Sequence, residues 1–355
     1  MVQGEKILIK KIIAITISIA FIINLSGCGQ QQKKRYEAEF MELFDTVTKI
    51  VAYTDSKEEF TKYSQTIYDQ LKIYHQLYDI YNDYPGVNNI KTINDNAGIK
   101  PVKVDKKIID LLKFSKEWYA KTDGKLNIAL GAVLTIWHQH REEGIDDPTR
   151  ATLPDIAELK EADKHTDINK MIIDEANSTV FLEDPKMSLD VGGVGKGYAT
   201  EQVAQYAAKS GFTSGLISVG GNVRAIGYKG DNKELWNLGV QNPDLESEKT
   251  NLVILYMADM SLVSSGDYER YYTVNGKKYH HLIDPETLFP ADHYSQVTIA
   301  TKDSGMADAI TKAAFILPFD QALKFIDDLP ETEAMWVFKD GSIKYSKNFQ
   351  KYFNK

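Results

Sequence analysis

The stretch Asp190-Val-Gly-Gly-Val-Gly-Lys-Gly-Tyr198 is the densest signal in the sequence, and a helix is predicted directly after it, at residues 198–210. Four glycines let a backbone approach a ligand closely and present several N–H groups to it. The start of the helix adds the positive end of its dipole, and Lys196 adds a point charge, so the segment suits a phosphate. A tight turn that needs glycine only for packing is the alternative, and the spacing leaves both open.

This glycine-rich segment differs from the two common nucleotide-binding motifs. A Walker A loop requires a glycine five residues before Gly195 and a Ser or Thr where Gly197 stands. A GxGxxG motif requires its last glycine where Tyr198 stands. If the segment binds a nucleotide, it does so in another way, in which Asp190 would accept a hydrogen bond from a ribose or a base.

The elements predicted around this segment come in blocks of helices and blocks of short strands. Helical periodicity is present at residues 56–83, 105–119, 306–317 and 320–329. A hairpin is predicted from residues 171–174 and 179–182. Short strands separated by turns are predicted between residues 216 and 263. Such blocks are typical of an α+β fold rather than of a doubly wound parallel sheet. We therefore expect mixed, largely antiparallel sheets flanked by helices.

Two further clusters carry side chains suited to catalysis or metal binding. His280 and His281 stand near Asp284, and such a set can supply a base with its orienting carboxylate, or metal ligands; a structural role is the alternative. Asp308 and Thr311 are three residues apart and share one face of a predicted helix. A carboxylate and a hydroxyl suit a hard cation such as Mg²⁺, although a polar first helix turn gives the same pattern.

Composition limits the classes of partner. The chain has 355 residues, one cysteine and a formal net charge of −8, and its pI is about 5.5. An acidic chain does not attract a phosphate backbone, so a nucleic-acid partner is not expected. The mean hydropathy of −0.34 excludes a multispan membrane protein.

The N-terminus is unlike the rest of the chain. Three lysines precede an apolar run at residues 12–25, which is too short to span a bilayer and has the shape of a signal-peptide core. The run ends in Leu25-Ser26-Gly27-Cys28, which resembles a bacterial lipobox. We predict a signal peptide at residues 1–27, a lipid on Cys28, a tether at residues 28–39 and a domain at residues 40–355. An ordinary signal peptide with a chance cysteine is the alternative.

Eight short motifs together resemble one family. In chain order they are FDT at residues 44–46, the Asn94 that closes NNIKTIN, TDG at 122–124, DVGGVGKGY, SVGGNVRAIG, SSGDYERY, HHLIDP and MADA. Their identity and order resemble the ApbE family of flavin transferases (FAD:protein FMN transferases). The resemblance runs from about residue 40 to the C-terminus, and it implies an ApbE-like flavin transferase fold.

The resemblance also implies a reaction. In this family a Mg²⁺-dependent enzyme splits FAD at its pyrophosphate, passes FMN to a threonine hydroxyl of a partner protein and releases AMP. The implied acceptors are flavoprotein subunits of membrane redox complexes and secreted flavin domains. Together with Cys28, it implies a lipid-anchored protein on the outer face of the bacterial cytoplasmic membrane.

Site residues carry over position by position. The resemblance assigns flavin binding to Phe44, Tyr81, Thr122, Asp123, Gly124, Asp190, Lys196 and Leu282. It assigns the metal to the carbonyl of Gly193 and the side chains of Asp308 and Thr311. It makes His281 the base that acts on the acceptor threonine, and Asp308 the second catalytic residue.

One departure from the family pattern concerns the metal. Lys312 stands where the family usually has a threonine ligand, four residues after Asp308. An ammonium beside Mg²⁺ costs Coulomb energy, yet it can also hold a phosphate. Two other functions therefore stay open: an FAD pyrophosphatase in which water replaces the threonine, and a non-catalytic lipoprotein that binds FAD.

Overall fold

The largest element of the fold is an eight-stranded sheet in the computed structural model, which describes residues 32–354. The strands are β1 (Lys34–Leu43), β2 (Thr46–Thr54), β3 (Val102–Lys103), β4 (Met171–Asp174), β5 (Thr179–Leu182), β6 (Gly215–Val219), β7 (Asn222–Ile226), β8 (Trp236–Gln241), β9 (Asn251–Met257), β10 (Ser261–Gly266), β11 (Tyr271–Val274), β12 (Lys277–His280), β13 (Tyr294–Thr301), β14 (Glu333–Phe338) and β15 (Ile343–Tyr345). The helices are α1 (Lys57–Tyr78), α2 (Ile90–Asp95), α3 (Lys106–Lys121), α4 (Gly131–Asp146), α5 (Ile156–Asp163), α6 (Gly195–Lys209), α7 (Ser304–Ile316) and α8 (Phe319–Asp327). Short 3-10 turns lie at Pro148–Arg150, Ile168–Lys170 and Phe349–Tyr352.

The main sheet has the order β1-β2-β6-β7-β10-β13-β14-β15, and its neighbouring strands are antiparallel. Three small antiparallel sheets accompany it: β3-β5-β4, β8-β9 and β11-β12. The fold is therefore α+β with antiparallel sheets, which confirms the predicted fold class.

The two faces of the main sheet are covered differently. In β2, Ile50 and Ala52 belong to one buried cluster while Val51 belongs to another, as the alternation of a strand requires. The first cluster joins this face to α1, α6 and α7. The second contains Trp236 and Leu255 from the β8–β9 hairpin. Helices thus cover one face of the sheet and the β8–β9 hairpin covers the other, with an apolar core on each face.

Local signals explain where several elements begin. Ser56 caps α1 by accepting a hydrogen bond from the N–H of Glu59, and Asp105 caps α3 in the same way through Lys107. The predicted hairpin matches β4 and β5 residue for residue. The prediction of these elements is confirmed, because they depend on residues that are close in sequence.

Two boundaries differ from the prediction. Strand β1 begins at Lys34 and pairs with β2, so the folded domain begins before residue 40 and includes part of the predicted tether. Helix α6 begins at Gly195 rather than at residue 198. Glycine has a low helix propensity, and the contacts of α6 with α7 fix its first turn instead.

The predicted N-terminal features lie outside the described residues. These are the signal peptide at residues 1–27 and the lipid on Cys28, and both stay predictions. Between residues 32 and 354, every helix is too short or too polar to cross a bilayer.

Candidate functional site

A cavity of about 640 Å³ opens between the end of α1, the segment after α3, the glycine-rich turn and the chain on either side of the β11–β12 hairpin. Small-molecule sites commonly have volumes in this range. Seven predicted site residues line the cavity: Phe44, Tyr81, Asp190, Gly193, Lys196, His281 and Leu282. The other five are not among its lining residues: Thr122, Asp123, Gly124, Asp308 and Thr311.

The glycine-rich turn forms one wall of the cavity and is fixed from both sides. The side-chain amide of Asn94 donates to the carbonyl of Leu189 over 2.9 Å and accepts from the Leu189 N–H over 2.8 Å. Asp190 accepts from the N–H of Gly192 through Oδ1 at 2.8 Å. The turn therefore presents Gly193 and the first residues of α6 to the cavity in a defined geometry.

Asp308 lies behind this wall and joins α6, β7 and α7. Its carboxylate is 1% exposed. Oδ2 accepts from the N–H of Gly197 and from the amide of Asn222, each at 2.9 Å, and Oδ1 accepts from the ammonium of Lys312 at 3.0 Å. Burial opposes ionisation, but the ammonium groups of Lys312 and Lys196 outweigh it and hold the pKa of Asp308 below its usual value.

The two adjacent histidines have different roles. His280 is buried; its Nε2 donates to the carbonyl of Ala291 at 2.8 Å, and its Nδ1 accepts from the N–H of Leu282 at 3.2 Å. It is therefore a structural residue. His281 lines the cavity, and its Nδ1 lies 3.2 Å from the carbonyl oxygen of Glu269.

His281 has the chemistry of a base. A carbonyl oxygen only accepts hydrogen bonds, so Nδ1 carries the proton and the lone pair lies on Nε2. Burial, together with the positive charges of Lys312 and Arg270, holds the pKa of His281 well below its ordinary value. The imidazole is therefore neutral at pH 7 and able to accept a proton.

Aromatic side chains line part of the cavity. Phe44 and Asp45 both have positive φ, at 57° and 50°, and form the turn between β1 and β2. The N–H of Phe44 donates to Nδ1 of His75 at 3.2 Å, and the two rings meet edge to face. Tyr81 is 56% exposed and lies 5.5 Å from the ring of His138. These flat surfaces suit a planar ligand.

The segment Thr122-Asp123-Gly124 supports the cavity from outside. Thr122 ends α3, where its hydroxyl donates to the carbonyl of Trp118 at 2.7 Å and accepts from the N–H of Leu126 at 3.0 Å. Asp123 and Gly124 both have positive φ. The turn brings Lys125 and Leu126 into the cavity wall, so it positions residues that line the site.

Comparison with known proteins assigns the chain to a family. The sequence model of the ApbE family matches residues 44–336. The chain belongs to the ApbE family. It is 28% identical to the FAD:protein FMN transferase of Treponema pallidum, over 94% of this chain and 92% of that protein. It is 29% identical to a protein of that name from Klebsiella pneumoniae, over 76% of this chain and 82% of that one.

Solved structures of the family share the fold. The ApbE protein of Thermotoga maritima superposes with a TM-score of 0.79 at 28% identity, over 91% of this chain and all of that one. The flavin transferase ApbE of Vibrio cholerae gives a TM-score of 0.74 at 18% identity, over 90% of this chain and 99% of that one. The relatives from Treponema pallidum, Klebsiella pneumoniae and Vibrio cholerae are named as transferases, and this chain is a transferase as well, as predicted.

The residues predicted to bind Mg²⁺ are engaged with protein groups in this ApbE-family chain. Both oxygens of Asp308 already accept hydrogen bonds, and Oδ1 is paired with an ammonium. The hydroxyl of Thr311 is fully buried and donates to the carbonyl of Asp308 at 2.8 Å. Of the predicted donors, Gly193 alone lines the cavity. Mg²⁺ requires about six oxygen ligands at 2.0–2.1 Å, and this arrangement does not fit it.

Several charged residues of the cavity were not among the predicted site residues. Lys125 pairs with Asp284 at 3.2 Å and is 10% exposed, and Arg141 donates to Nδ1 of His138 at 2.5 Å. Arg270 lies in the turn before β11. The SSGDYERY motif contains Arg270 and offered a signal for it. Arg141 is an ordinary charged residue of α4, and nothing in its sequence spacing points to the cavity.

Proposed function

We propose that this ApbE-family chain is an FAD:protein FMN transferase that splits FAD at its pyrophosphate and attaches FMN to a threonine of a partner protein. The observation that carries the proposal is the placement of the neutral base His281 among the cationic side chains of Lys196, Arg270 and Lys312 in one cavity. An acceptor hydroxyl needs a base, and a pyrophosphate needs cations, within the same site. The names of its relatives support the same activity.

The cavity divides by chemistry in a way that suits FAD. A planar ring would lie against Phe44 and Tyr81, which line the aromatic part. The pyrophosphate would lie against the glycine-rich turn and the start of α6, where N–H groups and the helix dipole attract an anion. Burial lowers the pKa of Lys196, while the carboxylate of Asp308 opposes that shift. The ammonium of Lys196 would hold a phosphate oxygen.

The reaction then follows from the groups present. The threonine oxygen attacks the phosphorus of the FMN half, and its proton passes to Nε2 of His281. The bond from that phosphorus to the bridging oxygen breaks, and this oxygen leaves with AMP. The cations beside the pyrophosphate stabilise the charge that develops on the leaving phosphate. One phosphoester forms as one phosphoanhydride bond breaks, so no further reactant is needed.

We also propose where the chain acts. The lipobox-like sequence before Cys28 favours a protein anchored by lipid on the outer face of the bacterial cytoplasmic membrane. An acceptor there would be a subunit of a membrane redox complex or a secreted flavin domain. The test is the mass of the chain purified from membranes, which should begin at Cys28 and include the lipid. Release of a Cys28→Ser variant from the membrane is also expected.

Intact-protein mass spectrometry tests the transferase directly. The full chain in detergent is mixed with FAD, Mg²⁺ and a flavin-acceptor domain that carries a target threonine. We expect the acceptor to gain the mass of one FMN group and AMP to appear in equal amount. An acceptor whose threonine is replaced by alanine should gain nothing.

Matched variants locate the base. His281→Gln should slow transfer by about 10²-fold or more while FAD still binds, since general base catalysis contributes about 10²–10⁴-fold. His293→Gln replaces an exposed histidine and should leave the rate unchanged. Free FMN and AMP without acceptor labelling would instead show a pyrophosphatase, and intact FAD would show a binding protein.

A further inference from the structure

The ammonium of Lys312 occupies the corner of the cavity where a divalent cation was predicted. Nζ lies 3.0 Å from Oδ1 of Asp308 and 3.0 Å from the hydroxyl of Ser265. The methylene next to Nζ lies 3.8 Å from the position that a Cβ on Gly193 would take. The side chain is 15% exposed and lines the cavity. Its positive charge is thus held beside both Asp308 and the glycine-rich turn.

The two oxygens nearest this ammonium accept hydrogen bonds from it, and the other side-chain oxygens predicted to bind the metal are bonded to protein groups. The second oxygen of Asp308 accepts from the N–H of Gly197 and from Asn222, which hold it toward the protein. The Thr311 hydroxyl donates to its own helix. A dication placed here would also be repelled by the ammonium.

We propose that Lys312 supplies the positive charge in place of a divalent cation, so that this chain transfers FMN without a metal. This inference rests on the proposed transferase function. An ammonium has three N–H donors, and Asp308 and Ser265 take two of them. The third is available to a pyrophosphate oxygen in the cavity.

Lys312 acts in this scheme together with two other cations. Lys196 and Arg270 also line the cavity. All three positive charges act on the same group, His281, and lower its pKa. They line the same cavity as His281, the base that would take the proton of the threonine. The bond changes are those of the proposed transfer, with the departing phosphate neutralised by N–H donors rather than by a metal.

Two measurements on the unaltered full chain test the proposal. The first compares acceptor flavinylation in EDTA and in Mg²⁺, and we expect rates that agree within about twofold. The second is a Mn²⁺ titration followed by electron paramagnetic resonance, because Mn²⁺ takes the oxygen ligands that Mg²⁺ prefers. We expect the Mn²⁺ signal to stay that of the free ion.

A variant pair gives the positive control. Lys312→Thr removes the ammonium and adds a hydroxyl near Asp308, so it should bind Mn²⁺ at least about tenfold more tightly than the unaltered chain. Its flavinylation should fall at least about tenfold in EDTA and recover with Mg²⁺. Lys324→Thr makes the same change at an exposed position of α8 and should behave like the unaltered chain.

The outcomes separate this inference from the proposed function. A rate that collapses in EDTA and returns with Mg²⁺ would keep the transferase and overturn the role of Lys312. Absence of flavinylation in both buffers would overturn the transferase, and the Mn²⁺ titration would then decide about the site alone. Tight Mn²⁺ binding by the unaltered chain overturns the inference in every case, including that in which Lys312→Thr does not fold.

Discussion

Replacing Gly197 by alanine tests the contact that holds α6 against α7 behind the cavity. An ideal Cβ on Gly197 would lie 2.4 Å from Cβ of Asp308 and 2.4 Å from the carbonyl oxygen of Ser304. Ordinary contacts between such atoms are about 3.5 Å, so each overlap is about 1 Å. Neither atom is the end of a flexible side chain. The two helices must therefore move apart.

The cost of that movement can be estimated from the contacts it disturbs. Overpacking costs about 1–3 kcal/mol. The 2.9 Å hydrogen bond from Gly197 to Asp308 would lengthen, and a hydrogen bond to a charged group contributes about 1.5–3 kcal/mol. Alanine regains about 1 kcal/mol over glycine in a helix. We expect the free energy of unfolding to fall by about 3 kcal/mol.

Denaturant unfolding, followed by tryptophan fluorescence, measures this change. Gly195→Ala is the matched control, two residues earlier in the same helix. A Cβ there would lie 3.4 Å from Tyr78 and 3.6 Å from Val191, which are ordinary contacts. We expect the control to be unchanged or more stable by up to about 1 kcal/mol. Equal midpoints for the two variants, with unchanged slopes, would refute the close approach of α6 to Asp308.

Three other predictions follow from single contacts. The lowered pKa of His281 keeps this base neutral in mild acid, so kcat/KM for FAD should be constant above pH 6.5 and fall only below that pH. If the midpoint of the fall in kcat/KM lay at or above pH 6.5, His281 would not be the base. Asn94→Ala leaves the buried N–H of Leu189 unpaired and should cost about 2–3 kcal/mol in denaturant unfolding, against less than about 1 kcal/mol for the exposed Asn88→Ala. Burial raises the pKa of Asp184, but its hydrogen-bond donors outweigh this and lower it to about 2, so stability that is present above the ordinary pKa of 3.8 should be lost as the pH falls toward 2. Asp184→Asn should flatten that part of the stability curve measured by thermal unfolding, and an unchanged curve would show that Asp184 is not responsible.

Elements that depend on local interactions could be predicted from the sequence. The caps at Ser56 and Asp105 and the β4–β5 hairpin involve residues close together in the chain, and each was predictable for that reason. The order of the eight motifs also predicted the ApbE family, because those residue types recur in that order in its members. The α+β class followed from the block pattern of helices and strands.

Which of the predicted residues meet in and behind the cavity depends on tertiary packing. Gly197 and Asp308 are 111 positions apart, and the packing of α6 on α7 brings them together. The second oxygen of Asp308 is held by donors from α6 and β7, which are both far from it in the chain. Sequence spacing predicted that Asp308 and Thr311 share a helix face, but the Thr311 hydroxyl donates to the backbone carbonyl of Asp308 instead of facing a ligand. Long-range contacts of this kind leave no local signal, because the sheet order that creates them is set by the whole chain.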